Sequence, residues 1–81
     1  MLKEINEQLL DLGYKSFIRT VGNEEKIFSS VTESLGPIFW IFLKNNKINI
    51  DYTVGQIPVE KEFKTIEELL KFVRQVFPIE E

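Results

Sequence analysis

The chain has no cysteine and no histidine in its 81 residues. Without Cys there can be no disulfide and no thiolate metal site. Without His there is no imidazole ligand for zinc and no imidazole base for a Ser or Cys nucleophile. Glycines number four and are scattered at Gly13, Gly22, Gly36 and Gly55. Neither a phosphate-cradling loop nor a dinucleotide fingerprint fits them. Carboxylates nowhere take the spacing of an EF-hand calcium loop. Apolar runs are short as well. The longest, Ile38 to Leu43, falls far below the roughly 20 residues of a membrane span. The N-terminal stretch Met1-Leu2-Lys3-Glu4-Ile5-Asn6-Glu7 sets acids and an amide where an export signal needs unbroken apolar residues. These absences lead us to expect a cytoplasmic protein with no cofactor, no metal and no membrane partner.

Alanine is missing too, and only Arg19 and Arg74 represent arginine. In their place stand ten Ile, eight Lys, seven Phe and five Asn. These residues have AT-rich codons, so the composition points to an AT-rich genome, such as those of some bacteria, thermophilic archaea, viruses and plasmids. The 10 Lys+Arg are outnumbered by 13 Asp+Glu, for a formal charge of -3. A chain this short makes one domain, residues 1–81, and buries only about 60% of the surface it exposes when unfolded. With staples excluded, its stability must come from dense aromatic packing or from association.

Periodicity assigns the elements. Leu2, Ile5, Leu9 and Leu12 recur at helical spacing, with Leu10 widening the stripe, and Gly13 suits the left-handed position that ends a helix. Tyr14 to Val21 and Lys26 to Glu33 read as strands around a turn at Gly22-Asn23-Glu24-Glu25. Ser34-Leu35-Gly36-Pro37 breaks the pattern. Ile38 to Lys44 is a strand apolar on both faces. After Asn45-Asn46, Ile48 to Val54 alternates cleanly. Val59 to Lys64 follows the loop Gly55-Gln56-Ile57-Pro58 and reads as an exposed edge, with Glu60, Glu62 and Lys64 on one face. Thr65 and Glu68 form a capping box for a second helix, Ile66 to about Phe77, which Pro78 ends. The fold class is therefore α+β: an N-terminal helix, an antiparallel meander of four to five strands, and a C-terminal helix packed on one sheet face.

One surface stands out. An even-length turn at Asn45-Asn46 sets Leu43 opposite Ile48, Ile41 opposite Ile50 and Phe39 opposite Tyr52. The other face then carries Ile38, Trp40 and Phe42 beside Asn49, Asp51 and Thr53. Contiguous apolar groups rimmed by polar ones mark association sites, and Trp is a frequent anchor. The expected function is a small non-enzymatic interaction module that forms a homodimer or binds another protein through these six residues. The plainer alternative is that the first helix or a loop folds over this face, or that it is simply half-exposed.

Other chemistries find less support. A Ser-Lys pair could be sought among Ser29, Ser30, Ser34 and Lys26, and a carboxylate pair among Glu33, Asp51, Glu60 and Glu62, but no spacing among them is diagnostic. Single-stranded nucleic acid could stack on Trp40 and Phe42 beside Lys44 and Lys47. The charge of -3 disfavours that partner. The run Leu9-Leu10-Asp11-Leu12-Gly13-Tyr14, followed by a meander and a closing helix, is loosely similar to type III secretion chaperone-like domains. That resemblance lies in the order of elements and transfers no function.

Overall fold

Ile5 and Leu9 sit on one side of α1 (Leu2–Leu12) and are fully buried. Gly13 ends the helix at φ 106°, and the Gly13 and Tyr14 N–H groups return to Leu10 and Leu9 carbonyls. A side chain there would be strained, and its Cβ would lie 3.3 Å from Ile79 Cδ1. Leu10 is 48% exposed, so the buried stripe is narrower than the spacing suggests. Leu12 also remains partly open, beside Tyr14, Arg74, Pro78 and Ile79 in a shallow groove.

The computed structural model describes residues 1–31 and 38–79. Five strands follow α1: β1 (Lys15–Val21), β2 (Glu24–Ser30), β3 (Phe39–Lys44), β4 (Lys47–Val54) and β5 (Ile57–Phe63). They pair in chain order as one antiparallel sheet, β1-β2-β3-β4-β5. The chain closes with α2 (Ile66–Val76). The expected end of the second strand at Glu33 and the break Ser34-Leu35-Gly36-Pro37 lie outside the described residues.

The three hairpin turns among the described residues are each two residues long: Gly22-Asn23, Asn45-Asn46 and Gly55-Gln56. The first and third are shorter than their four-residue sequence readings. Asn45 and Asn46 both have positive φ, the requirement of a type I′ turn. Gly22 and Gly55 supply positive φ at the first turn position. The tighter turns lengthen the strands, so β2 begins at Glu24 and β5 at Ile57. Pro58 thereby falls inside β5. An edge strand tolerates it, because one side of that strand has no neighbour to receive an N–H.

Both helices cover the same sheet face. Ile5 and Leu9 of α1 and Leu69 and Val73 of α2 join Ile27, Phe39, Ile41, Ile48, Ile50 and Tyr52 in one buried cluster. Rings tie the layers together: Phe77 stacks on Phe39 at 4.7 Å, and Tyr52 meets Phe77 and Phe72 at 5.4 and 5.9 Å. Buried Tyr14 donates to the carbonyls of Phe77 at 2.6 Å and Val73 at 3.3 Å, joining the end of α1 to the end of α2. Ser29, a weak residue for an apolar strand, is satisfied within the core layer. It donates to the Ser16 hydroxyl, which donates to Asn6 Oδ1 on α1. Thr65 caps α2 by accepting from the Glu68 N–H at 3.1 Å. The Glu68 carboxylate accepts from the Thr65 hydroxyl, where a full capping box would take a backbone N–H.

Candidate functional site

The β3–β4 register is the even one. Phe39 pairs with Tyr52, Ile41 with Ile50 and Leu43 with Ile48, all on the helix-covered face. Leu43 nonetheless stays 43% exposed, beside Met1 and the Asn45-Asn46 turn, where the helical layer stops short. Trp40 and Phe42 therefore point away from the helices, with Asp51 and Asn49 as their neighbours on β4. Thr53 lies on the same face and is exposed. Ile38 precedes β3. It donates its N–H to the Ser29 carbonyl, and its half-buried side chain packs against the core cluster.

The tight Gly22-Asn23 turn enlarges this face beyond the six expected residues. It sets Phe17 directly opposite Phe28, and Phe28 is opposite Trp40. The Phe17 and Phe28 rings stack at 5.7 Å, and Phe28 meets Trp40 edge-on at 6.3 Å. Phe42 lies one step along β3. Four aromatic side chains thus form one continuous patch that none of the described helices covers. Phe17 is 44% exposed, and Phe28, Trp40 and Phe42 are half-buried. Two cations lie on the rings: the Arg19 guanidinium over Phe17 and the Lys26 ammonium over Phe42, each at 5.2 Å. Phe17, Arg19, Lys26 and Phe28 were hidden in the sequence because β1 and β2 mix charged and apolar residues on one face. A two-residue turn would have revealed their alignment.

Across the face, β3 divides the charge. Arg19 and Lys26 oppose one another on β1 and β2. Asp51 and Glu60 oppose one another on β4 and β5, with Glu62 two residues further along. At the turn end the signs reverse, with Glu24 on β2, Lys44 on β3 and Lys47 on β4. Lys47 pairs with Glu62 at 3.4 Å, both well exposed, so the pair contributes little to stability. Like charges set directly across a ladder are destabilising, and this face has three such pairs: Arg19–Lys26, Lys44–Lys47 and Asp51–Glu60.

Polar satisfaction is incomplete at its centre. Asn49 is 1% exposed, and its amide donates weakly to the Lys47 carbonyl at 3.3 Å. The buried Oδ1 atoms of Asn49 and Asp51 have no hydrogen-bond partner. Among the described residues, no group of three acids is gathered to hold a metal ion. Of the carboxylates considered for acid–base work, Asp51, Glu60 and Glu62 share this open face, and Glu33 lies outside the described residues. Ser34 does as well. No described helix is long and apolar enough to cross a membrane. Comparison with protein families, with curated proteins and with solved structures finds no match.

Proposed function

We propose that this chain is a non-enzymatic interaction module that binds protein through the open face of its sheet. The observation that carries this reading is the continuous patch of Phe17, Phe28, Trp40 and Phe42 on the face opposite both helices. Contiguous apolar surface ringed by charge is the usual form of an association site, and clustered aromatics supply its anchors. The simplest partner is a second copy, because isologous dimers are the commonest assemblies.

Sedimentation or light scattering across concentration tests this. The wild type should form a dimer at high micromolar concentration, and Trp40→Asp should remain monomeric. A wild type that is monomeric throughout would remove the homodimer.

A second reading has one specific observation behind it. The cations on Phe17 and Phe42 give the β1–β3 half the stacking surface and positive charge that single-stranded nucleic acid uses. The acidic β4–β5 half of the same face opposes a phosphate backbone. Titrating Trp40 fluorescence with mixed oligonucleotides at low salt separates the readings. Salt-dependent quenching would favour nucleic acid, and an unchanged signal would remove it.

A further inference from the structure

We infer that the partner is a second copy docked face to face about a two-fold axis that runs along β3, with the β1 edge of each copy over the β5 edge of the other. This rests on the open sheet face being an interaction surface, and it specifies the occupant and its geometry.

Two sheet faces can meet about a two-fold axis in two limiting ways. An axis across the strands lays β1 on β1 and β5 on β5. Arg19 and Lys26 then approach their own copies, and so do Asp51, Glu60 and Glu62. An axis along β3 lays β1 on β5. Rows across the sheet follow from the register. In one row, Phe17, Phe28 and Trp40 continue into Asp51 and Glu60. In the next, Arg19, Lys26 and Phe42 continue into Asn49 and Glu62. Reversing these rows about β3 sets Arg19 over Glu62 and Lys26 over Asn49, one step from Asp51 and Glu60. At the turn end, Glu24 comes over Lys47. Trp40, Phe42 and Lys44 fall near the axis and meet their own counterparts, Lys44 at the exposed turn end.

This arrangement eases two of the three like-charge pairs. Arg19–Lys26 and Asp51–Glu60 are each unfavourable within one chain; Arg19 meets the second copy's Glu62 directly, while Asp51 and Glu60 lie over its Phe28 and Phe17, one row from its Lys26 and Arg19. The twist of packed sheets turns them by about 30°, so the axis is tilted from β3 by half of that. With strands about 4.8 Å apart and residues about 3.3 Å apart, the face measures roughly 20 Å by 20 Å. Two such faces bury on the order of 1,000 Å², the lower end for a specific interface. The dimer is accordingly one of modest affinity.

A charge swap tests the geometry. R19E/K26E makes the basic half acidic, and E60K/E62K makes the acidic half basic. Each variant alone should dimerise at least about ten-fold more weakly than wild type, from several exposed pairs changed together. An equimolar mixture should recover association as a heterodimer, and the quadruple variant R19E/K26E/E60K/E62K should recover it as a homodimer. Circular dichroism and thermal unfolding confirm that each variant is folded, and the recovery itself requires folded chains. If Trp40→Asp dissociates the dimer while the charge variants do not, the interaction face stands and this geometry is overturned. A monomeric wild type overturns this geometry and the homodimer with it, and capture by single-stranded oligonucleotide in place of its own copy overturns the protein-binding reading as well.

Discussion

On β3, Phe39 and Ile41 meet two helices, while Trp40 and Phe42, their neighbours in the chain, meet none among the described residues. On the covered side Phe39 and Ile41 are fully buried, and the Phe39 ring lies 4.7 to 5.9 Å from its ring partners. The open side has rings at similar spacing, with Phe17 and Phe28 at 5.7 Å, yet it keeps water contact and carries opposed like charges. Aromatic content therefore does not distinguish the two faces. Closure distinguishes them: one aromatic layer is completed by the two helices, and no described helix covers the other.

Truncating one ring on each side separates the two layers by their effect on stability. Phe39→Ala should cost about 3–5 kcal/mol, as for a fully buried Phe. That is a large share of the roughly 4–12 kcal/mol expected for a domain of this length. Phe28→Ala should cost about 1 kcal/mol, because its main described ring contacts are Phe17 and Trp40. Chemical denaturation of dilute protein measures both. Equal losses would show that the open face stabilises the fold as much as the core does.

Tyr14→Phe comes next. It removes the hydroxyl that joins the ends of α1 and α2 and should cost about 1–2 kcal/mol. Burial raises the Tyr14 pKa above its ordinary value of 10.0, against a smaller opposing effect of the Arg74 guanidinium. The folded state thus favours the protonated phenol. Its contribution is complete below the unfolded value of 10.0 and is lost as pH rises through the folded value. Wild-type stability should fall above about pH 10, and Tyr14→Phe should lack that component. Matching alkaline profiles would place the Tyr14 hydroxyl outside the stabilising core.

Much of this architecture is legible in the sequence, for identifiable reasons. The buried helical stripes, Gly13, Thr65 and the alternation of Ile48 to Val54 are local signals, and local signals fix element type. The even Asn45-Asn46 turn fixed which side of β3 each residue takes. Turn length was harder. Gly22 and Gly55 reverse the chain in two residues, and with four-residue turns the alignment of Phe17 with Phe28 is invisible. The open face was seen on two strands, while its charge division needed all five. Leu43 and Leu10 show the remaining gap, since periodicity indicates a side but not how far the opposing layer reaches.

Two smaller effects sharpen the account. Thr65→Ala should cost about 1 kcal/mol by removing the acceptor for the Glu68 N–H, and thermal unfolding should show it on both association states alike. Asn49→Leu carries the opposite sign. It replaces a buried amide whose Oδ1 has no partner, so stability should hold or rise by up to about 1 kcal/mol. A loss would mean that a water or another donor completes Asn49.

If the proposed association is right, the aromatic patch is open in the single chain and closed in the dimer. Acrylamide quenching of Trp40, the only tryptophan, tests it most directly when followed from dilute to high micromolar protein. Quenching should be efficient at low concentration and should fall as the dimer forms. A Trp40 shielded even at the lowest concentration, or equally quenched at every concentration, would contradict the proposal.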